Sequence, residues 1–215
     1  VATDDLITRV WRGSAAAVSR AALPTGFVEI DRYLPGGGWP IGAITEIFVA
    51  SYGIGELSLL MPAMAALTND DPSAPPKWVV WIAPPFVPYA PALQQRGVKI
   101  ERVLMVHPAA DRASRCWAIE QVVRSGSSVG VLAWVAAVED VMLRRLQLAA
   151  EQQACWLVLF RPERDHLRRS PAALRLKLVK SERATRVHVL KCRGGRPGAI
   201  DIAALDDDSA ETPRG

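Results

Sequence analysis

The sequence predicts an α/β domain built on a mainly parallel, twisted sheet with helices on both faces. Three observations carry this. Short apolar runs rich in β-branched and aromatic residues recur at 44–49, 78–83, 103–106, 129–134 and 155–160. Helical stretches at 56–67, 90–95, 113–124 and 138–152 alternate with them. That alternation is the pattern of parallel strands joined by crossover helices. Finally, the runs 174–179 and 186–191 alternate apolar with basic residues, as half-buried strands do. The polar stretch 180–185 between them predicts an antiparallel hairpin.

The elements follow in order. Residues 4–11 read as a short helix capped by Asp4 or Asp5, with Leu6, Val10 and Trp11 on one face. Such a helix must bury that face, on its own domain or on a partner, with Trp11 as the natural anchor. Residues 1–22 thus form an N-terminal helix and linker, 23–205 the core, and 206–215 an acidic tail expected to be disordered. Thr25 is a candidate cap for a helix holding Val28, Ile30, Asp31 and Leu34, which Pro35 and the following glycines stop. The helix 56–67 is expected to be interrupted near Pro62. Pro84 to Tyr89 lie at the C-terminal end of a buried strand, where ligands of open α/β sheets gather. In the helix 113–124, Trp117, Ile119 and Val123 are candidate core contacts, and Arg144, Arg145 and Gln147 are candidate exposed positions of the next helix. Residues 161–171 read as a mobile basic loop, and 200–205 as a last edge strand.

The turn after the first core strand carries the chemistry. Its strand–glycine turn–helix arrangement is that of a phosphate-binding P-loop, G-x-x-x-x-G-K-[ST]. Aligned on the second glycine, Ala50 replaces the first glycine, Gly55 is the second, Glu56 replaces the lysine and Leu57 the hydroxyl, with Gly53 inside the loop. A carboxylate repels phosphate, and leucine offers Mg²⁺ no oxygen. The turn reads as a disarmed nucleotide site kept as a binding platform.

Charge is unevenly placed. The chain of 215 residues has a net charge of +4. Residues 1–160 carry 13 Lys/Arg and 14 Asp/Glu, residues 161–196 carry 12 and 3, and residues 197–215 carry 1 and 5. A basic segment of this kind suits a polyanion or an acidic partner. Three scattered cysteines give no metal-ligand spacing and fit a reduced cytoplasm. Neither metal nor cofactor is expected. No apolar run reaches the roughly 20 residues that span a bilayer, and no signal peptide is expected at the acidic N-terminus.

Residues 23–60 resemble the entry to the RecA/RadA ATPase core, through Leu23-Pro-Thr-Gly, the Gly-Gly-x-Pro-x-Gly turn ending at Gly42, and Ile44-Thr-Glu-Ile before the P-loop position. Within that superfamily the chain resembles the ImuA family of SulA/RecA-like accessory proteins. Val10-Trp-Arg-Gly13, Leu34-Pro-Gly-Gly-Gly-Trp-Pro40, Gly53-Ile-Gly-Glu-Leu57, Trp81-Ile-Ala-Pro-Pro85, Phe160-Arg-Pro162 and Lys191-Cys-Arg-Gly-Gly195 carry this likeness. The resemblance implies partnership with ImuB and a C-family error-prone DNA polymerase in damage-induced mutagenic translesion synthesis, with RecA a further candidate partner. It places Pro85 near the position of the catalytic glutamate and Ala133 near that of the Walker B aspartate. With Glu56, three functional positions are altered together, so catalysis is not expected.

In the same comparison the segment after Phe160 matches a loop that lines single-stranded DNA. Arg161, Arg164, Arg168 and Arg169 are therefore candidate DNA-binding residues, with a solvated charge run weighed as equal. Lys191 and Arg193 match residues that reach a neighbouring protomer, which makes them candidate partner contacts. Two other functions are weighed: a SulA-type division inhibitor binding FtsZ, and a weak ATPase with a nonstandard site.

Overall fold

The computed structural model describes residues 22–69, 77–180 and 184–203. The Trp11 helix and the acidic tail lie outside them. The main sheet has eight strands in the order β10-β9-β8-β3-β7-β6-β4-β5. They are β3 (Ala43–Val49), β4 (Trp78–Ile82), β5 (Val103–Val106), β6 (Ser128–Trp134), β7 (Trp156–Pro162), β8 (Leu174–Lys180), β9 (Ala184–Cys192) and β10 (Gly198–Ala203). From β5 through β8 all neighbours run parallel. The β8–β9 and β9–β10 pairs are antiparallel, as the alternating apolar and basic pattern predicts. A two-residue ribbon of β1 (Ala22–Leu23) and β2 (Trp39–Pro40) precedes β3.

Two apolar layers flank the sheet. On one face α1 (Val28–Tyr33) and α2 (Met61–Thr68) pack with Ile47, Trp81, Trp134, Trp156 and Phe160. On the other, α4 (Arg112–Arg124) and α5 (Asp140–Gln153) cover Ile44, Val80, Val131, Leu157 and Leu159. Both faces of β3 are buried along its whole length. That explains why it reads as a continuous apolar run rather than an alternating one. A short helix, α3 (Ala90–Gln95), follows β4 and stops before Gly97, whose φ of 81° suits glycine.

Four expectations need correction. Pro62 does not interrupt a helix; it stands in the first turn of α2, where its missing N–H has no helical acceptor to lose. Before it, residues 58–60 form a 3₁₀ turn. Thr25 does not cap α1. Its Oγ1 accepts the Phe27 N–H, and its own N–H donates to Asp31 Oδ1, so the helix reaches back to the turn instead. Trp117 is exposed, because α4 faces the sheet through Cys116, Ile119, Glu120 and Val123. Gln147 is buried: its Oε1 accepts the Ile44 N–H at 3.0 Å, pinning the start of β3 to α5. Arg145 is half exposed but held by Glu120.

Among the described residues no helix is long and apolar enough to cross a membrane. No group of His, Cys, Asp and Glu among them is gathered to hold a metal ion. Cys116, Cys155 and Cys192 are free thiols. Burial pushes the Cys155 thiol up to about 12, so this thiol stays protonated at neutral pH.

Candidate functional site

The C-terminal ends of the parallel strands meet at one edge of the sheet, and every candidate nucleotide-site residue lies there. The turn after β3 is strained open by Gly53 (φ 84°) and Gly55 (φ 96°). Backbone N–H groups in such a turn form an anion-binding nest. Here the anion is internal. The Glu56 carboxylate accepts the Gly53 N–H at 2.9 and 3.0 Å and the Ile54 N–H at 2.9 Å. Glu56 is 4% exposed. Sequence reasoning saw only that this residue would repel a phosphate. The geometry adds that its carboxylate uses the donors a phosphate would need.

The other two candidate positions follow other strands. Ala133 is fully buried near the end of β6, packed in the apolar layer under α4 and α5. Pro85 follows β4 and lines a cleft of about 310 Å³. Tyr52 from the turn, Pro84, His107 after β5, Trp134 at the end of β6 and Arg115 from the first turns of α4 also line it. Trp134 stacks on Phe160 at 4.7 Å and tilts against Trp81 at 5.6 Å, so the floor of the cleft is rigid. The backbone at Ala83 is left-handed (φ 53°), which swings the Pro84–Pro85 segment away from β4. Burial raises the Tyr52 phenol above its ordinary range. Glu56 adds to the rise, and Arg115 and Arg164 oppose it. Among the described residues the Arg115 Nε is buried without a hydrogen-bond partner.

Across β3, β7 and β8 lies a buried ion cluster that the sequence reading missed. Glu46 shares the sheet face of Ile44 by the two-residue period of β3. Its Oε1 accepts from Arg161 Nη1, and its Oε2 accepts from Arg175 Nε at 2.6 Å. Arg161 Nη2 donates to Asp165 Oδ2 at 3.1 Å, which also accepts the Ala137 N–H at 2.7 Å. Phe48 lies under both guanidinium groups, at 5.7 and 4.9 Å. The signal was present. A lone carboxylate inside a buried strand requires a cation brought to it by the neighbouring strands.

This corrects the placement of Arg161. It is fully buried and bonded on two sides, so it presents no surface to DNA. The segment after it is only in part irregular: β7 runs to Pro162, residues 163–167 form a 3₁₀ turn, and residues 168–173 are loop as expected. Arg164, Arg168 and Arg169 are exposed there. Lys191 and Arg193, expected to meet a partner, hold the same crossover from the far side. Lys191 Nζ donates to the Ser170 carbonyl at 2.9 Å, and Arg193 Nη2 to the Pro171 carbonyl at 3.2 Å. Burial, with Arg193 and Arg175 nearby, lowers the Lys191 pKa.

The architecture defines the class: an α/β protein with a mainly parallel sheet and an antiparallel C-terminal edge. No family model matches the chain, and no curated protein matches it.

Proposed function

We propose that the chain is a non-catalytic, RecA-like adaptor of the bacterial mutagenic translesion synthesis machinery, with ImuB, an error-prone C-family polymerase or RecA as its partner. The observation that carries this reading is the Glu56 carboxylate held in the nest of the P-loop-like turn. A triphosphate entering that nest meets a buried negative charge instead of a lysine. Pro85 after β4 and Ala133 on β6 have no group to activate water or hold Mg²⁺. The parallel sheet ending in antiparallel strands agrees with the architecture the resemblance implies.

What the sheet edge retains is a surface. The turn at 86–89 exposes Phe86, Val87 and Tyr89, and the β7–β8 crossover exposes Arg164, Arg168 and Arg169. Exposed apolar and cationic groups suit a macromolecular partner. Two measurements test the reading. Calorimetric titration with ATP and Mg²⁺ is expected to give no heat, and ultracentrifugation with purified ImuB, polymerase or RecA is expected to give a complex with at least one. Micromolar ATP binding with turnover, or no complex with any of the three, overturns it.

A further inference from the structure

The cleft beside the disarmed turn is cationic and uncompensated. Among the described residues no carboxylate lines it. Arg115 lines it with its Nε buried and unpartnered, and the Arg115 side chain has no ion pair among those residues. Arg164 is exposed on the 3₁₀ turn after β7. The other charges close by are already engaged. Glu56 is bonded to the turn, Arg112 to Glu139 and the Ala137 carbonyl, and Asp111 to the Ser114 N–H as cap of α4. A guanidinium that lines a cleft without an ion pair favours a carboxylate or phosphate.

The rim is of a different character. From Trp78 to Gln95 there is no charged side chain. Within that stretch Phe86, Val87 and Tyr89 stand 68%, 86% and 74% exposed directly after the two prolines of the cleft wall. The Arg115 charge therefore lines the cleft, and the apolar groups stand after its proline wall. Single-stranded nucleic acid favours another pattern, with aromatic platforms and cations interleaved along a continuous groove. A polypeptide segment with an acidic side chain next to an apolar one matches the arrangement here.

We propose that this cleft is the docking site for an acidic-apolar segment of a partner protein, with a carboxylate on Arg115 and an apolar side chain against Phe86 and Tyr89. Proline turns give the site a rim already held in shape, so little ordering is needed on binding. This inference rests on the adaptor reading and names the chemistry of the partner.

The test uses the full chain and three probes. They are the blocked tetrapeptide Asp-Leu-Phe-Glu, its neutral counterpart Asn-Leu-Phe-Gln, and oligothymidylate. The readouts are the Arg115 Nε–H and Trp134 indole N–H resonances. The acidic peptide is expected to shift both. The neutral peptide, or the acidic peptide on Arg115→Gln, is expected to bind about tenfold or more weakly, the effect of losing a charge-assisted pair. The neutral peptide on the parent chain serves if Arg115→Gln misfolds. Equal binding of the neutral peptide, or oligothymidylate shifting these resonances where the acidic peptide does not, overturns the proposal. Binding to ImuB that Arg115→Gln leaves unchanged sinks the inference and spares the adaptor reading. Peptide binding with no complex with ImuB, polymerase or RecA does the reverse.

Discussion

Two sets of arginines stand within one edge of this sheet and have opposite fates. Arg161 and Arg175 project from β7 and β8 toward the same carboxylate of β3 and are buried with it. Arg115 and Arg164 stand nearby, the first from a helix and the second from a 3₁₀ turn, and neither has an ion-pair partner among the described residues. The difference is one of register. Parallel pairing sets Glu46 opposite Arg175, and Phe48 opposite Arg161. The backbone thus fixes each cation within reach of the anion before any side chain moves. Helix and turn residues at the sheet edge have no such constraint. Buried charges here hold the framework, and unpaired ones are free to meet a ligand.

Breaking the framework set should have the largest effect. Glu46→Gln leaves two guanidinium groups without their shared anion and is expected to destabilise the fold by about 3–5 kcal/mol. Urea unfolding measures it. Replacing Glu46, Arg161 and Arg175 together by Leu, Met and Met is expected to recover part of that loss, because only Asp165, which keeps the Ala137 N–H, is then left without a cation. If the triple variant is as unstable as Glu46→Gln, the pairs contribute more than mutual neutralisation.

Next in size is the internal anion of the turn. Glu56→Ala leaves the Gly53 and Ile54 N–H groups without their acceptor, at a cost of about 1–3 kcal/mol. The same change frees the nest. Millimolar inorganic phosphate should then raise the melting temperature of Glu56→Ala and leave the parent chain unmoved. Equal stabilisation of both would mean that the carboxylate does not compete for the nest.

Much of this was legible in the residues. The strand–helix alternation located β3 to β7 because each strand is a dense apolar run, and the alternation of apolar and basic residues located β8 and β9 because one of their faces is wet. Glu56 stood out as a carboxylate at the P-loop lysine position, and it accepts the N–H groups of the turn. What the sequence did not reveal was pairing. Arg161 and Arg164 look alike in a basic stretch, and only the β3–β7 register tells that the first is fully enclosed. Trp117 looked like core because its neighbours are apolar; the helix periodicity puts Cys116 and Ile119 inward and leaves the indole outside. The cleft assembles Tyr52, His107 and Arg115 from distant parts of the chain, and no local pattern marks any of them.

The exposed set should give a smaller effect on stability than either change above. Arg164→Gln, Arg168→Gln and Arg169→Gln together are expected to shift unfolding by no more than about 0.5 kcal/mol, since exposed substitutions away from special contacts rarely do more. A larger shift would mean that the crossover arginines belong to the framework. Binding of an acidic partner, in contrast, should weaken and lose part of its salt dependence.

The finest discrimination comes from the Tyr52 phenol, which lies between both sets. Burial raises its pKa above the ordinary value of 10.0, Glu56 raises it further, and Arg115 and Arg164 pull it down. A raised folded pKa means the neutral phenol is favoured in the native state. Its contribution to stability is whole below pH 10.0 and is lost as pH rises through the folded pKa. Followed by the difference absorbance lost on Tyr52→Phe, Glu56→Gln should move the titration down from its raised position. Arg115→Gln should move it up. If Arg115→Gln leaves the titration in place, the guanidinium charge does not reach the cleft, and the contrast between paired and unpaired arginines loses its functional half.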